Sequence, residues 1–365
     1  MIITIASIIV AFIIVVWAYM QQPQFGRRPA GDRLAQITGS PNYKDGAFQN
    51  QSHTPSFTNG GTFLKVSRKF FFEKSKRSAP TTALQATKVD LKQLDPREDV
   101  IVWFGHSSYY MQVGGKRMLV DPVLSGSASP VSFTTRSFAG TDIYTADDMP
   151  EIDVLFITHD HYDHLDHKTV AALNNKVKAV VTGLGVGAHL ERWGYDPRKI
   201  IERDWHQEVD LGDGFRVFTA PARHFSGRGF KRNVTLWSSF VLYTPQHKIY
   251  IGGDSGYDTH FAEIGKMHGP FDLAILENGQ YNDYWQNIHM MPEETVQAAI
   301  DLGARTLFPV HWSKFALSLH DWDESIKRVV AEADRKGMPL IHPSIGEPVN
   351  LQRYAATKKW WENYV

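Results

Sequence analysis

The sequence predicts a layered α/β domain behind an apolar N-terminal helix, and three observations carry that prediction. From residue 98 onward, short β-branched and aromatic runs recur at strand length. Amphipathic helical patterns fall between some of them, as alternating layers require. Several runs end directly in His or Asp, which places a site on loops at one edge of the sheets.

Taken in chain order, Ile2 to Met20 is uncharged and almost wholly apolar. As a helix at about 1.5 Å per residue it reaches roughly 28 Å, close to the hydrocarbon thickness of a bilayer. It reads as an uncleaved transmembrane anchor over residues 1–20. A cleaved signal peptide is the rival, but no Lys or Arg precedes the run and no small-x-small site follows it. Arg27, Arg28 and Arg33 follow the run, which favours a cytoplasmic location for the rest of the chain, at the inner membrane if the source is bacterial.

Residues 21–97, rich in Pro, Gly, Asn and Ser, read as a linker and wrapping segment. Within them Phe70, Phe71 and Phe72 are flanked by Lys65, Arg68, Lys69, Lys74, Lys76 and Arg77. That pattern suits either a short amphipathic element packed on the main domain or a basic-aromatic patch at a lipid headgroup surface.

The domain at 98–365 carries strand runs at 100–104, 118–120, 154–157, 179–181, 217–220, 239–243, 249–251, 273–276 and 306–310. Helical patterns cover 168–174, 292–302 and 322–336, the second opening with Pro292, Glu293 and Glu294 at the positive end of its dipole.

Lys+Arg and Asp+Glu are equal at 39 each, without the basic excess of a nucleic-acid-binding protein, so no nucleic-acid partner is expected. Cysteine is absent, so any metal must be held by His and carboxylates.

The densest polar cluster follows the apolar run at 154–157: His159, His161, Asp163 and His164 crowd directly behind it. His224, Asp254 and His311 each arrive where another run gives way to a loop. Five imidazoles and two carboxylates suit two zinc ions with one bridging carboxylate. Such ions, about 3.5–4 Å apart, make water nucleophilic at neutral pH. His53, His189, His206, His247 and His268 read instead as ordinary hydrogen-bonded surface residues.

The His159-x-His161-x-Asp163-His164 phrase, with the later His, Asp and His at strand ends, resembles the metallo-β-lactamase superfamily over residues 98–347. Further phrases are similar to its N-acylphosphatidylethanolamine phospholipase D branch: Trp103 to Ser107, Leu119 to Pro122, Leu165-Asp166, Trp237 to Ser239, Gly253 to Tyr257 and His311 to Ala316. Gly46 to Asn50 and Asn287 to His289 match that branch only in part.

The resemblance implies an αββα sandwich. His159, His161 and His224 would bind one ion, Asp163, His164 and His311 the other, and Asp254 would bridge. Tyr162 would hydrogen-bond the substrate phosphate or pack under its loop. His289 would protonate the leaving alkoxide or be merely buried. Asp121, Asp166 and His106 would orient ligands or serve as turn residues. The implied activity is hydrolysis of an N-acylated membrane phospholipid at a bilayer, with a homo-oligomer possible. A lactonase or other small-metabolite hydrolase, and a tethered metal-binding sensor, are the rivals.

Overall fold

Strands covered on both faces lose the polar alternation of a half-exposed sheet, and the central strands here read that way. In Ile152–Ile157, Val154 and Phe156 pack toward one core while Leu155 and Ile157 pack toward another. The computed structural model describes residues 2–353 and 357–364, with side chains from Thr4. Met1, residues 354–356 and Val365, included in the expected segment boundaries, lie outside the described residues.

Two sheets lie face to face. The seven-stranded sheet runs, in spatial order, Pro348–Asn350, Val100–Trp103, Tyr109–Val113, Lys116–Val120, Ile152–Ile157, Val177–Gly183 and Ile200–Arg203. The six-stranded sheet runs Leu307–Val310, Leu273–Glu277, Lys248–Ile251, Ser239–Tyr243, Phe215–Ala220 and Glu208–Gly212. Their facing sides share one core that joins Met118, Val120 and Phe156 to Val217, Phe240 and Ile251. Helices His167–Leu173 and Gly187–Arg192 cover the outside of the first sheet. Helices His260–His268, Pro292–Asp301 and Glu324–Lys336 cover the outside of the second. The architecture is the expected αββα sandwich.

Local chemistry sets several boundaries. Asp166 caps His167–Leu173 by accepting from Lys168 N at 3.2 Å, so its role is that of a cap. Glu294 accepts from Met291 N at 2.8 Å behind Pro292. Gly337, at φ 69°, ends the last long helix in the left-handed region.

The apolar helix Ile2–Met20 forms, and its described side chains are exposed on nearly every side, Ile8 at 63% and Phe12 at 67%. Among the described residues, however, no helix is long and apolar enough to cross a membrane. The transmembrane reading of this segment therefore has no support in the structure.

The segment expected to be linker contains helices Gly31–Thr38 and Phe63–Phe72. The first is tied to the sandwich by Arg33, which pairs with Glu202 at 2.5 Å and Glu191 at 2.7 Å. The second carries Val66 and Phe70 on the wall of a cavity at the sheet edge.

Candidate metal centre

The C-terminal ends of strands from both sheets meet at one edge, and each delivers a polar side chain there. Ile152–Ile157 leads to His159, His161, Asp163 and His164; Phe215–Ala220 leads to His224; Lys248–Ile251 leads to Asp254; Leu307–Val310 leads to His311. The loops bend sharply: His106, Asp121 and His311 hold φ of 52°, 40° and 67°, a region L-residues rarely occupy. Such strain at a cluster of polar residues is characteristic of functional sites.

The side chains form two adjoining groups, and a third, of Asp254, Glu277, His289 and His311, overlaps both. His159, His161, His224 and Asp254 converge in one, and His106, Asp163, His164 and His311 in the other, the ligand atoms of each lying within 4.8 Å of one another. His161 Nδ1 is 2.9 Å from His159 Nε2 and 3.2 Å from His224 Nε2. Ligands on a tetrahedral zinc at about 2.0–2.1 Å stand roughly 3.3 Å apart, so this spacing fits one ion among the three rings. Asp254 reaches both groups: its Oδ2 lies 3.2 Å from His164 Nε2 and 3.6 Å from His224 Nε2, and its Oδ1 lies 3.1 Å from His311 Nδ1.

A metal fits this shell because polar atoms are left without partners. His164 Nε2, His311 Nε2 and Asp254 Oδ1 are buried and make no hydrogen bond with the described residues. Buried polar atoms are rarely abandoned in this way, and a cation satisfies them.

Burial, and then the neighbouring imidazoles, hold His159 and His224 well below the usual histidine range. Burial and then His106 do the same to His311, and burial brings His161 down to about 4. Neutral imidazoles keep the lone pair that ligation needs. Burial pushes Asp254 up to about 6. Asp163 is held low against its burial by His164 and His106.

A second layer orients the ligands. Asp121 accepts from Thr158 N at 2.9 Å and from Thr158 Oγ1 at 2.6 Å, and pairs with His164 Nδ1 at 2.8 Å. Ser107 Oγ lies 2.9 Å from His311 Nδ1, and the Asn50 side chain brackets the His224 backbone. Such partners fix ring orientation and strengthen ligation.

The comparisons agree with this geometry. Residues 116–312 match the family model described as a β-lactamase superfamily domain. The chain belongs to the metallo-β-lactamase superfamily. An uncharacterised protein of Mycobacterium tuberculosis is 38% identical over 326 residues, covering 88% of this chain and 87% of its own length. The N-acyl-phosphatidylethanolamine-hydrolyzing phospholipase D 1 of Caenorhabditis elegans is 29% identical over 268 residues, covering 67% of this chain and 74% of its own. Among solved structures, the metallo hydrolase Igni18 of Ignicoccus hospitalis aligns with a TM-score of 0.53 at 19% identity, over 69% of this chain and 97% of its own. This chain is thus a member of a metal-dependent hydrolase family with His/Asp clusters suited to metal.

Within this superfamily fold, the reading of His189 needs correction, and the open alternatives for Tyr162 and His106 are narrowed. Tyr162 turns away from the ligand atoms. Its hydroxyl donates to the Arg228 carbonyl at 2.8 Å and its ring packs against Phe25, so it lies under the loop and not in the metal-facing cavity. His189, read as a surface residue, is buried behind the ligand loop and pairs with Asp160 at 3.2 Å. His106 stands among the ligand atoms, 2.9 Å from Asp163, because its left-handed turn aims the ring inward.

Glu277 was missed altogether. It ends the strand Leu273–Glu277, is buried, and sits 2.7 Å from His289 Nδ1. Burial raises Glu277 well above, and lowers His289 below, the usual range of each, which favours a neutral pair sharing a proton. The habit that exposed the other ligands, a polar residue closing an apolar strand, was visible at Glu277 too.

Proposed function

We propose that the protein is a binuclear zinc phosphodiesterase of phospholipase D type. It would hydrolyse an N-acylphosphatidylethanolamine-like lipid to phosphatidic acid and an N-acylethanolamine. The observation that carries this reading is the cavity in front of the ligands, about 450 Å³, with His161, Asp163, His224, Asp254 and His311 on one wall. The same cavity is lined by Phe57, Val66, Phe70, Trp285 and Leu317, an apolar surface suited to an amphiphile whose phosphate reaches the ligands.

His159, His161 and His224 would hold one ion, Asp163, His164 and His311 the other, with Asp254 between them. When bound there, the ions would supply Lewis-acid activation of water and neutralise phosphoryl charge. Water adds to phosphorus, the bond to the ethanolamine oxygen breaks, and His289, oriented by Glu277, gives that oxygen a proton. Arg232 at the cavity mouth adds positive charge near the phosphate.

Membrane attachment belongs to the same proposal. The helix Ile2–Met20 offers exposed apolar side chains, and Arg28 beside it is exposed, as a segment at an anionic inner surface would be. Helix Phe63–Phe72 lines the cavity with one face and exposes Phe63, Leu64, Phe71 and Phe72 on the other. This pairing of cavity wall and exposed apolar face favours a lipid over a soluble lactone.

The test uses full-length protein, mixed micelles and ¹⁸O-water. The label should enter the phosphatidic acid. Label in the released alcohol would indicate attack at carbon, and lactone opening without phosphodiester turnover would establish the rival activity.

A further inference from the structure

The loop that carries His159, His161, Asp163 and His164 is held from behind by a single buried guanidinium. Arg228 Nη1 donates to the carbonyls of Asp160 and Leu165, each at 2.7 Å, which pins the loop at both ends of its ligand run. The other side of the same fork faces the N-terminal segment. Arg228 Nε and Nη2 donate to Gln24 O at 3.0 and 2.7 Å. The guanidinium also sits 4.2 Å over the Tyr162 ring, so the side chain has no freedom to turn.

A second connection runs parallel to the first. Arg27 N donates to His189 Nδ1 at 3.0 Å, which leaves His189 Nε2–H facing Asp160 Oδ2 at 3.2 Å. Asp160 lies between two ligands, and its carboxylate also accepts from Thr235 Oγ1 at 2.9 Å and Gly227 N at 2.7 Å. The approach depends on Gly26, at φ 67°: a Cβ there would lie 1.9 Å from His189 Nδ1. Arg192 Nη1 holds the Gly26 carbonyl at 2.8 Å, and Trp193 Nε1 holds the Pro23 carbonyl at 2.8 Å.

We propose that residues 24–27, the exit of the N-terminal helix, form a clasp that, through Arg228 and His189, sets the ligand loop in its metal-binding geometry. Arg228, His189 and Gly26 are positioning residues, since none reaches the ligand atoms. The clasp begins just past Met20, so whatever fixes the helix also fixes one support of the metal loop. The inference rests on the metal reading of the site and is independent of which substrate is hydrolysed.

The experiment is a zinc competition titration against a chromophoric chelator, on full-length, metal-stripped protein in detergent, with the melting temperature of the stripped protein alongside. Gly26→Ala and Arg228→Met should each weaken zinc binding by about tenfold or more, the usual effect of removing an outer support. Arg228→Lys, which keeps the charge and some of the donors, should recover part of the loss. Gly337→Ala is the control, since it forces a side chain into φ 69° with nothing within 4 Å. It should lower the melting temperature and leave zinc affinity unchanged. If Gly26→Ala and Arg228→Met merely repeat the control, the clasp is overturned while the metal centre stands. A wild-type chain that takes up no zinc would overturn the centre itself.

Discussion

The two sides of the metal centre are built differently. On one side, the 158–166 loop is braced at several residues: Thr158 and His164 by Asp121, Asp160 by His189 and Thr235, Asp160 and Leu165 by Arg228. On the other, His289 has one strong partner, Glu277, and its ring opens onto the cavity. Heavy bracing suits ligands, whose geometry must not change when an ion binds. A single partner suits a group that has to hold and release a proton while keeping its orientation.

Mutations can break or sharpen that contrast. Asp254→Ala should have the largest effect, because its carboxylate touches both ligand groups. Metal content should fall and turnover should drop by roughly 10³-fold or more, the several kcal/mol that metal chemistry contributes. Elemental analysis with activity assays checks this, and full activity in metal-free protein would refute the centre.

His289→Ala should lower turnover by about 10²–10⁴-fold, as loss of a proton donor does, while metal content stays intact. Glu277→Gln, which keeps the bulk and can still accept from His289, should fall between that variant and wild type. If either change strips the metal, the two sides are not separate and His289 is a ligand.

The smallest effect belongs to Tyr162→Phe. Its hydroxyl serves the Arg228 carbonyl behind the loop, so the change should cost about 1 kcal/mol of stability and leave turnover near wild type. Denaturant melts with steady-state rates decide it. Collapsed turnover at unchanged stability would return the hydroxyl to the substrate.

Much of the fold was legible because its strands are covered on both faces. Residues 154–157 and 273–276 within these strands are apolar throughout, and such runs stand out in any sequence. Strands with polar outer positions were not legible: Glu208–Gly212 lies at a sheet edge, buries Val209 and exposes Glu208 and Asp210. Helix Phe63–Phe72 was ambiguous for the opposite reason, since it exposes much of its apolar surface.

By itself the sequence determined the layered α/β class and the local cluster of His159, His161, Asp163 and His164, since a ligand-dense loop behind a buried strand is written in consecutive residues. It also marked His224, Asp254 and His311 as polar ends of apolar runs. Tertiary structure alone decided which way side chains turn and what lies behind them. Tyr162 and His161 are neighbours in the chain, yet the turn that begins at Tyr162 sends one under the loop and leaves the other on the metal side. His106 enters the ligand cluster through one left-handed turn. Arg228 and His189 meet the loop, and Gln24 meets Arg228, across separations of more than twenty residues, where no periodicity or spacing carries information. Only the packing of the N-terminal segment against the sheet edge brings them together.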